Sequence, residues 1–290
     1  MFGVSWSKPK IHIWGGLGSQ LFGVALFFDL KKRFDNNVFS LVLHSSGVTQ
    51  RYSELGLFHE TIPMQFVDDY REFTIDRAKS KKSSLSSSAQ KSFSRLLVFS
   101  RLIQTSNTNL EFKRVKFWTL MFRGHYSYRF ISQETTQKIL NSLSACGFEM
   151  LLRSDSRNRV LSIHYRLGDL LSLTSKGPIE ADMLAKEVLR LCSERKFDVV
   201  YLYSDDLDEA MRRLFPLLNN SRIIAKKEDL WATLKTLINS DYFIGTNSKI
   251  SIWVTIFRHY AGAGNQISLP NMLYSQISKN LGEENESHYY

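Results

Sequence analysis

Between positions 160 and 169 the chain reads Val160-Leu161-Ser162-Ile163-His164-Tyr165-Arg166-Leu167-Gly168-Asp169, an apolar run that ends abruptly in four residues able to do chemistry. Arg166 is permanently charged and can fork onto a phosphate or a carboxylate. Gly168 allows a tight loop, and Asp169 can hold the arginine in place. Val160, Leu161 and Ile163 suit a strand covered on both faces, and open α/β sheets take their ligands at the carboxyl ends of strands. The plainer alternative is a surface ion pair beside a core histidine. Two later stretches repeat the arrangement. Ser204-Asp205-Asp206 closes one strand and opens a helix, so its carboxylates either cap that helix or hold a ribose hydroxyl or base edge. Asn247-Ser248-Lys249-Ile250-Ser251 also falls where a strand gives way to a helix. Ser248 and Ser251 stand one turn apart, so both hydroxyls can join backbone N–H groups around a phosphate; simple capping is the alternative.

The first half offers Gly15-Gly16-Leu17-Gly18-Ser19-Gln20 between a strand at 10–14 and a helix at 20–33. Strand, glycine turn and helix together make the first unit of a Rossmann-like domain, with an anion-accepting helix N-terminus. The run is not a P-loop, because no Lys-Ser/Thr pair follows, and Leu21 stands where a dinucleotide fingerprint has its third glycine. A turn that merely allows close helix packing is the competing account.

These residues need elements to hold them. Strands are expected at 38–43, 62–67, 160–164, 199–203, 222–225, 242–245 and 266–269. Helices are expected at 52–58, 132–146, 180–194, 206–218, 228–239 and 248–259. Strands alternating with helices of this length require a parallel sheet with right-handed crossovers. The serine-rich basic run 79–92 reads as a mobile loop. Residues 93–122 interleave Arg95, Arg101, Lys113, Arg114 and Lys116 with Leu96, Phe99 and Trp118, the pattern either of two helices with solvated basic faces or of a surface that meets acidic lipid. A polar linker at 153–158 divides the chain into domains 1–155 and 156–290.

The 290 residues carry a formal charge of +10, which favours anionic partners without choosing among nucleotides, nucleic acid and membrane. No nucleic-acid motif stands out, and the positive charge is scattered, so a non-catalytic nucleic-acid-binding protein ranks last. Two cysteines, Cys146 and Cys192, fit a reducing compartment. Neither a signal peptide nor a membrane span is expected, which places the chain in the cytoplasm with contact to a membrane only at its surface.

Gly15-Gly16-Leu17-Gly18-Ser19-Gln20-Leu21-Phe22 closely resembles the GGLGNQLF motif of the α-1,2-fucosyltransferases of bacterial polysaccharide loci and of animals. His164-Tyr165-Arg166-Leu167-Gly168-Asp169 resembles their HxRRGD motif, Ser204-Asp205-Asp206 their SDD, and residues 247–253 their NSTFSWW; residues 122–128 resemble their G-Y-x-Q-S segment loosely. The motifs come in family order. The resemblance implies a GT-B-like α/β fold of two Rossmann-like domains facing across a cleft. It implies an inverting transfer without metal or other cofactor, with GDP-fucose as donor and a glycan acceptor, lipid-linked in the synthesis of O-antigen or another surface polysaccharide at the inner membrane face. By the same resemblance Arg166 is catalytic, meeting the diphosphate and stabilising the departing nucleotide. His164, Asp169, Asp205, Asp206, Asn247, Ser248 and Ser251 bind the donor, and Gly16, Gly18, Ser19 and Gln20 form the loop at the cleft, in an acceptor-binding first domain. Leu167 replaces the second arginine of the family motif and Ser19 its asparagine. The lost charge is expected to weaken phosphate binding or pass the work to another cation, and it leaves room for a different nucleotide sugar. His12, His125 and Asp69 are candidate bases by type.

Overall fold

Strand β1 (Lys10–Trp14) buries Ile11, His12 and Ile13, so both of its faces are covered, as a central parallel strand requires. The computed structural model describes residues 8–34, 39–45, 53–67, 92, 95–105, 115–116, 118–124, 127, 129–150, 159–172, 177–218, 223–260, 262, 266–281 and 287–290. The chain divides into two compact units, Met1–Gly147 and Phe148–Tyr290. The expected linker at 153–158 and residues 79–91 of the basic loop expected at 79–92 lie outside the described residues.

In the first unit, β1 runs into α1 (Leu17–Arg33), buried from Leu17 through Phe27 and therefore apolar on nearly every side. Gly23 lets this helix lie against the sheet, since a Cβ there would stand 2.3 Å from Ile13 Cγ2. Strands β2 (Ser40–His44), β3 (Met64–Val67), β4 (Ile103–Thr105) and β5 (Met121–Arg123) complete a five-stranded sheet of order β3-β2-β1-β5-β4. Every pairing is parallel. Helix α2 (Gln133–Ala145) starts at Ser132, whose side chain accepts the Thr135 N–H. Asp29 of α1 ties the helices together by pairing with Arg129 and accepting the Thr135 hydroxyl at 2.5 Å.

The stretch 93–122 departs from expectation. Among the described residues it holds a helical segment at 95–99, then strand β4 and the start of β5, two of the five strands of the sheet. Three-residue strands give too little alternation to be seen through so many charges.

The second unit follows its expected alternation closely. Strands β6 (Val160–Tyr165), β7 (Val199–Ser204), β8 (Ile223–Ala225), β9 (Tyr242–Gly245), β10 (Ile267–Leu269) and β11 (His288–Tyr289) form one sheet of order β11-β10-β9-β6-β7-β8. All five pairings are parallel. Helices α3 (Ala181–Glu194), α4 (Leu207–Leu214), α5 (Leu230–Asn239), α6 (Lys249–Tyr260) and α7 (Tyr274–Leu281) complete the unit. Leu161, Ile163, Tyr165 and Leu167 bury one face of the sheet against Leu184, Val188 and Leu191 of α3 and Ala210 and Leu214 of α4. From β6 the chain moves outward through β7 and β8, then returns to lay β9 on the other side of β6. The order reverses between β6 and β9, and such a switch point opens a crevice at the carboxyl ends of the two strands. Both units are Rossmann-like α/β folds. Among the described residues no helix is long and apolar enough to cross a membrane.

Candidate functional site

Register brings the expected site residues of the second unit to one edge. Tyr165 pairs with Ser204 and His164 with Gly245, so β6, β7 and β9 stop at nearly the same level. The first residue beyond each strand is then Arg166, Asp205 and Thr246. The Thr246 hydroxyl donates to the His164 carbonyl and accepts the Arg166 N–H, both at 2.9 Å. One buried hydroxyl therefore stitches the two strands of the switch point together.

Asp205 holds the other side. Its Oδ1 accepts the Leu167 N–H at 2.9 Å, and its Oδ2 stands 3.0 Å from Arg166 Nη1. Arg166 Nη2 donates to Asp169 Oδ1 at 2.5 Å. The guanidinium is thus clasped by two carboxylates, with its side chain still 24% exposed. Gly168 is required for this clasp: its φ is +21°, and a Cβ there would fall 2.0 Å from Asp205 Oδ2. His164 is nearly enclosed; burial first, and then the Arg166 charge, push its pKa down to about 4. The site therefore presents a fixed cation beside a neutral imidazole at pH 7. Buried His164 Nδ1 has no hydrogen-bond partner.

The remaining donor-site candidates divide by task. Asp206 caps α4, accepting the Glu209 N–H at 3.2 Å, while its own N–H donates to Ser204 Oγ. Ser248 accepts the Ile250 N–H at 3.1 Å and so caps α6, with Asn247 and Lys249 partly exposed beside it. The first turn of α6 carries no acidic side chain, which leaves its positive end suited to an anion. Ser251 lies deeper: it is fully buried, packed on Gly245, where a Cβ would meet its Oγ at 2.7 Å. Its hydroxyl has no partner. Register places His164 beside Gly245, so the two unpartnered groups flank the same strand end.

Leu167, which stands where the family motif has its second arginine, lies in the core. The side chain is completely buried in the core with Tyr165 and Leu184, so its position points away from the edge where Arg166 stands. Thr246 heads the stretch that the sequence singles out but receives no role from it; a hydroxyl directly after an apolar strand and before Asn247-Ser248 was the available signal.

The glycine loop of the first unit follows its own switch point, between β1 and β5. Gly15 adopts φ 89°, Gly16 forms the N-cap of α1 without a side-chain cap, and a Cβ on Gly16 would meet nothing within 4 Å. Gly18, Ser19 and Gln20 are buried in the first turn of α1. Gln20 braces the loop, donating to the Gly15 carbonyl at 2.8 Å and accepting the Glu54 N–H at 2.9 Å. Nearby, His12 Nδ1 lies 2.9 Å from His44 Nε2, and burial, then His44, Arg123 and Lys10, lower the His12 pKa to about 3. A base that weak is poorly matched to proton abstraction at neutral pH. His125 and Asp69 lie outside the described residues. Among the described residues no three His, Cys, Asp or Glu side chains gather as a metal site needs.

No protein-family model matches the sequence, and no curated protein matches it. Solved structures resemble it in outline. A protein described as a UDP-N-acetylglucosamine 2-epimerase from Listeria monocytogenes aligns over 94% of this chain and 82% of its own, at 10% identity and a TM-score of 0.44. POFUT1 in complex with GDP aligns over 98% of both chains, at 13% identity and a TM-score of 0.38. NodZ α-1,6-fucosyltransferase soaked with GDP-fucose aligns over 86% of this chain and 92% of its own, at 11% identity and a TM-score of 0.39. Likenesses this distant decide neither reaction nor substrate.

Proposed function

We propose that the chain is a nucleotide-sugar glycosyltransferase whose second unit holds the donor diphosphate on Arg166, and that the sugar is L-fucose, passed from GDP-β-L-fucose to a sugar hydroxyl in α-1,2 linkage. One observation carries the reading: a partly exposed arginine, oriented by two carboxylates, stands at a switch point beside the strand end that leads into the N-terminus of α6, whose first turn carries no acidic side chain. The motif resemblance supplies the donor. In the transfer, the acceptor hydroxyl oxygen forms a bond to C1 of fucose from the face opposite the diphosphate and gives up its proton to water or to the departing phosphate, while the C1–O bond breaks and its bonding pair leaves with GDP. Charge grows on the leaving phosphate, where a fixed guanidinium and helix N–H groups stabilise it most. Such groups make a metal unnecessary for that step.

The acceptor in this reading is a lipid-linked glycan of a surface polysaccharide, met at the cytoplasmic face of a membrane. Exposed Phe99 and Leu96 beside Arg95 favour a peripheral contact with acidic lipid.

Calorimetric titration with GDP, UDP and CDP in metal-free buffer tests the reading. GDP alone is expected to bind, and Arg166→Ala to weaken it by about 10- to 100-fold, the worth of charge-assisted hydrogen bonds. Preference for UDP or CDP overturns the fucose donor, and a chain that binds none of the three is not such a transferase.

A further inference from the structure

Gly245 ends β9 one residue beyond the ladder with β10, which stops where Ile244 meets Ser268. Its carbonyl is taken instead by the Tyr290 hydroxyl, which donates at 2.8 Å. The next residue, Thr246, is pinned on the opposite side to β6. The two residues that lead into the α6 N-terminus are therefore held from both sides, and one of the two pins arrives from 45 residues away.

The segment bringing Tyr290 is itself fixed. The Tyr290 N–H donates to the Leu269 carbonyl and its carbonyl accepts the Asn271 N–H, both at 2.9 Å. Beneath it lies Glu187, 4% exposed, which accepts the Ser268 hydroxyl at 2.5 Å and two bonds from Arg190. His288 Nε2 stands 3.6 Å from the same carboxylate. Burial first, then Glu187 and Tyr165, raise the Tyr290 pKa, so the phenol keeps its proton and remains a donor.

We propose that Tyr290 is a positioning residue for the nucleotide site: its hydroxyl, delivered by the β11 segment, fixes the carbonyl of Gly245 and thereby the loop 246–248 that presents the α6 N-terminus to a phosphate. The link to a phosphate rests on the proposed function; the pinning of the loop does not.

Tyr290→Phe removes the hydroxyl and keeps the ring in the core. Tyr260→Phe is the matched control, because it removes a tyrosine bond to the Asn280 carbonyl at the far end of α6. Hydrogen exchange of the ligand-free proteins is the first readout. Amides 246–250 are expected to exchange about 3- to 10-fold faster in Tyr290→Phe, the span one hydrogen bond accounts for, and to stay unchanged in Tyr260→Phe. Unchanged exchange at 246–250 overturns the proposal, and so does acceleration spread evenly over the unit, which would make Tyr290 a general prop. GDP titration is the second readout, with Kd expected to rise by about 3- to 10-fold. A wild-type chain that binds GDP and a Tyr290→Phe chain that binds it equally well overturn the link to the site. A wild-type chain that binds no nucleotide overturns the proposed function, while the exchange data still decide the pinning.

Discussion

His164 stays neutral in the folded chain down to about pH 4, whereas an unfolded histidine takes its proton near pH 6.5. Between those values the unfolded chain binds a proton that the folded chain refuses, so stability is complete above pH 6.5 and is lost as pH falls. His12, lowered to about 3, adds a second loss of the same sign over a wider range. Each can cost at most about 1.4 kcal/mol per pH unit. Urea unfolding at a series of pH values from 7.5 to 4.5 is expected to show this decline, and His164→Gln to flatten it. An unchanged slope in the variant would mean that the imidazole is hydrated rather than enclosed. Arg166 tells a related story about charge: it meets two carboxylates before any ligand arrives, so an anion must share or displace Asp169 and Asp205 rather than find a bare cation. Sequence reasoning paired Arg166 with Asp169 because they are close in the chain. It could not foresee Asp205 as a partner, since only strand register brings position 205 beside 166.

At the scale of elements, two positions show how the site depends on backbone geometry. Gly168→Ala would force a Cβ onto the Asp205 carboxylate and break the bond to the Leu167 N–H. Unfolding measurements should show a loss of about 1–3 kcal/mol, with nucleotide binding lost alongside. Helix α6 contributes a second case through Arg258, which is fully buried and donates to the carbonyls of Leu237, Ile238, Ser240 and Asp241 at the end of α5. Burial lowers even this guanidinium, to about 10. Arg258→Met fills the space but strands those carbonyls, at about 1–3 kcal/mol for each that finds no water, so a large fall in urea midpoint is expected with the fold retained in any chain that still binds GDP. The elements themselves were legible where apolar runs were long and evenly spaced, as from β6 to α6. They were not legible at β4 and β5, where a three-residue strand among arginines has no period to read, nor at α7 and β11, which continue a sheet already satisfied in pattern.

For the molecule as a whole, two parallel sheets with reversed strand order put both motif-bearing loops at switch points. The alternation of strands and helices called for a parallel sheet in the second half, but strand order, and with it the switch points, is set by tertiary pairing that no local pattern carries. If the second unit holds the nucleotide, GDP at about 100 times its Kd should stabilise the protein by about 2.7 kcal/mol. Exchange protection should then concentrate at 164–169 and 245–251. Protection confined to the first unit would count against the assignment. Membrane contact has its own check at this scale: Phe99→Ser should reduce binding to vesicles rich in phosphatidylserine and leave binding to neutral ones unchanged, because Phe99 is 87% exposed and stands near Arg95 and Arg101.

The sheet order also governs the sequence of assembly. A ribosome makes β6 first among the strands of its sheet, then β7 and β8, so one edge of β6 pairs early while the other waits. Thr246, which seals that second edge, follows Arg166 by 80 residues. Until β9 emerges, a largely buried strand carries an open apolar edge, the kind of surface that chaperones cover and that nascent chains use to aggregate. The half-made unit would hold Arg166 and Asp205 together with nothing on the β9 side, and the proposed anion site would be complete only once Thr246 has bonded to β6.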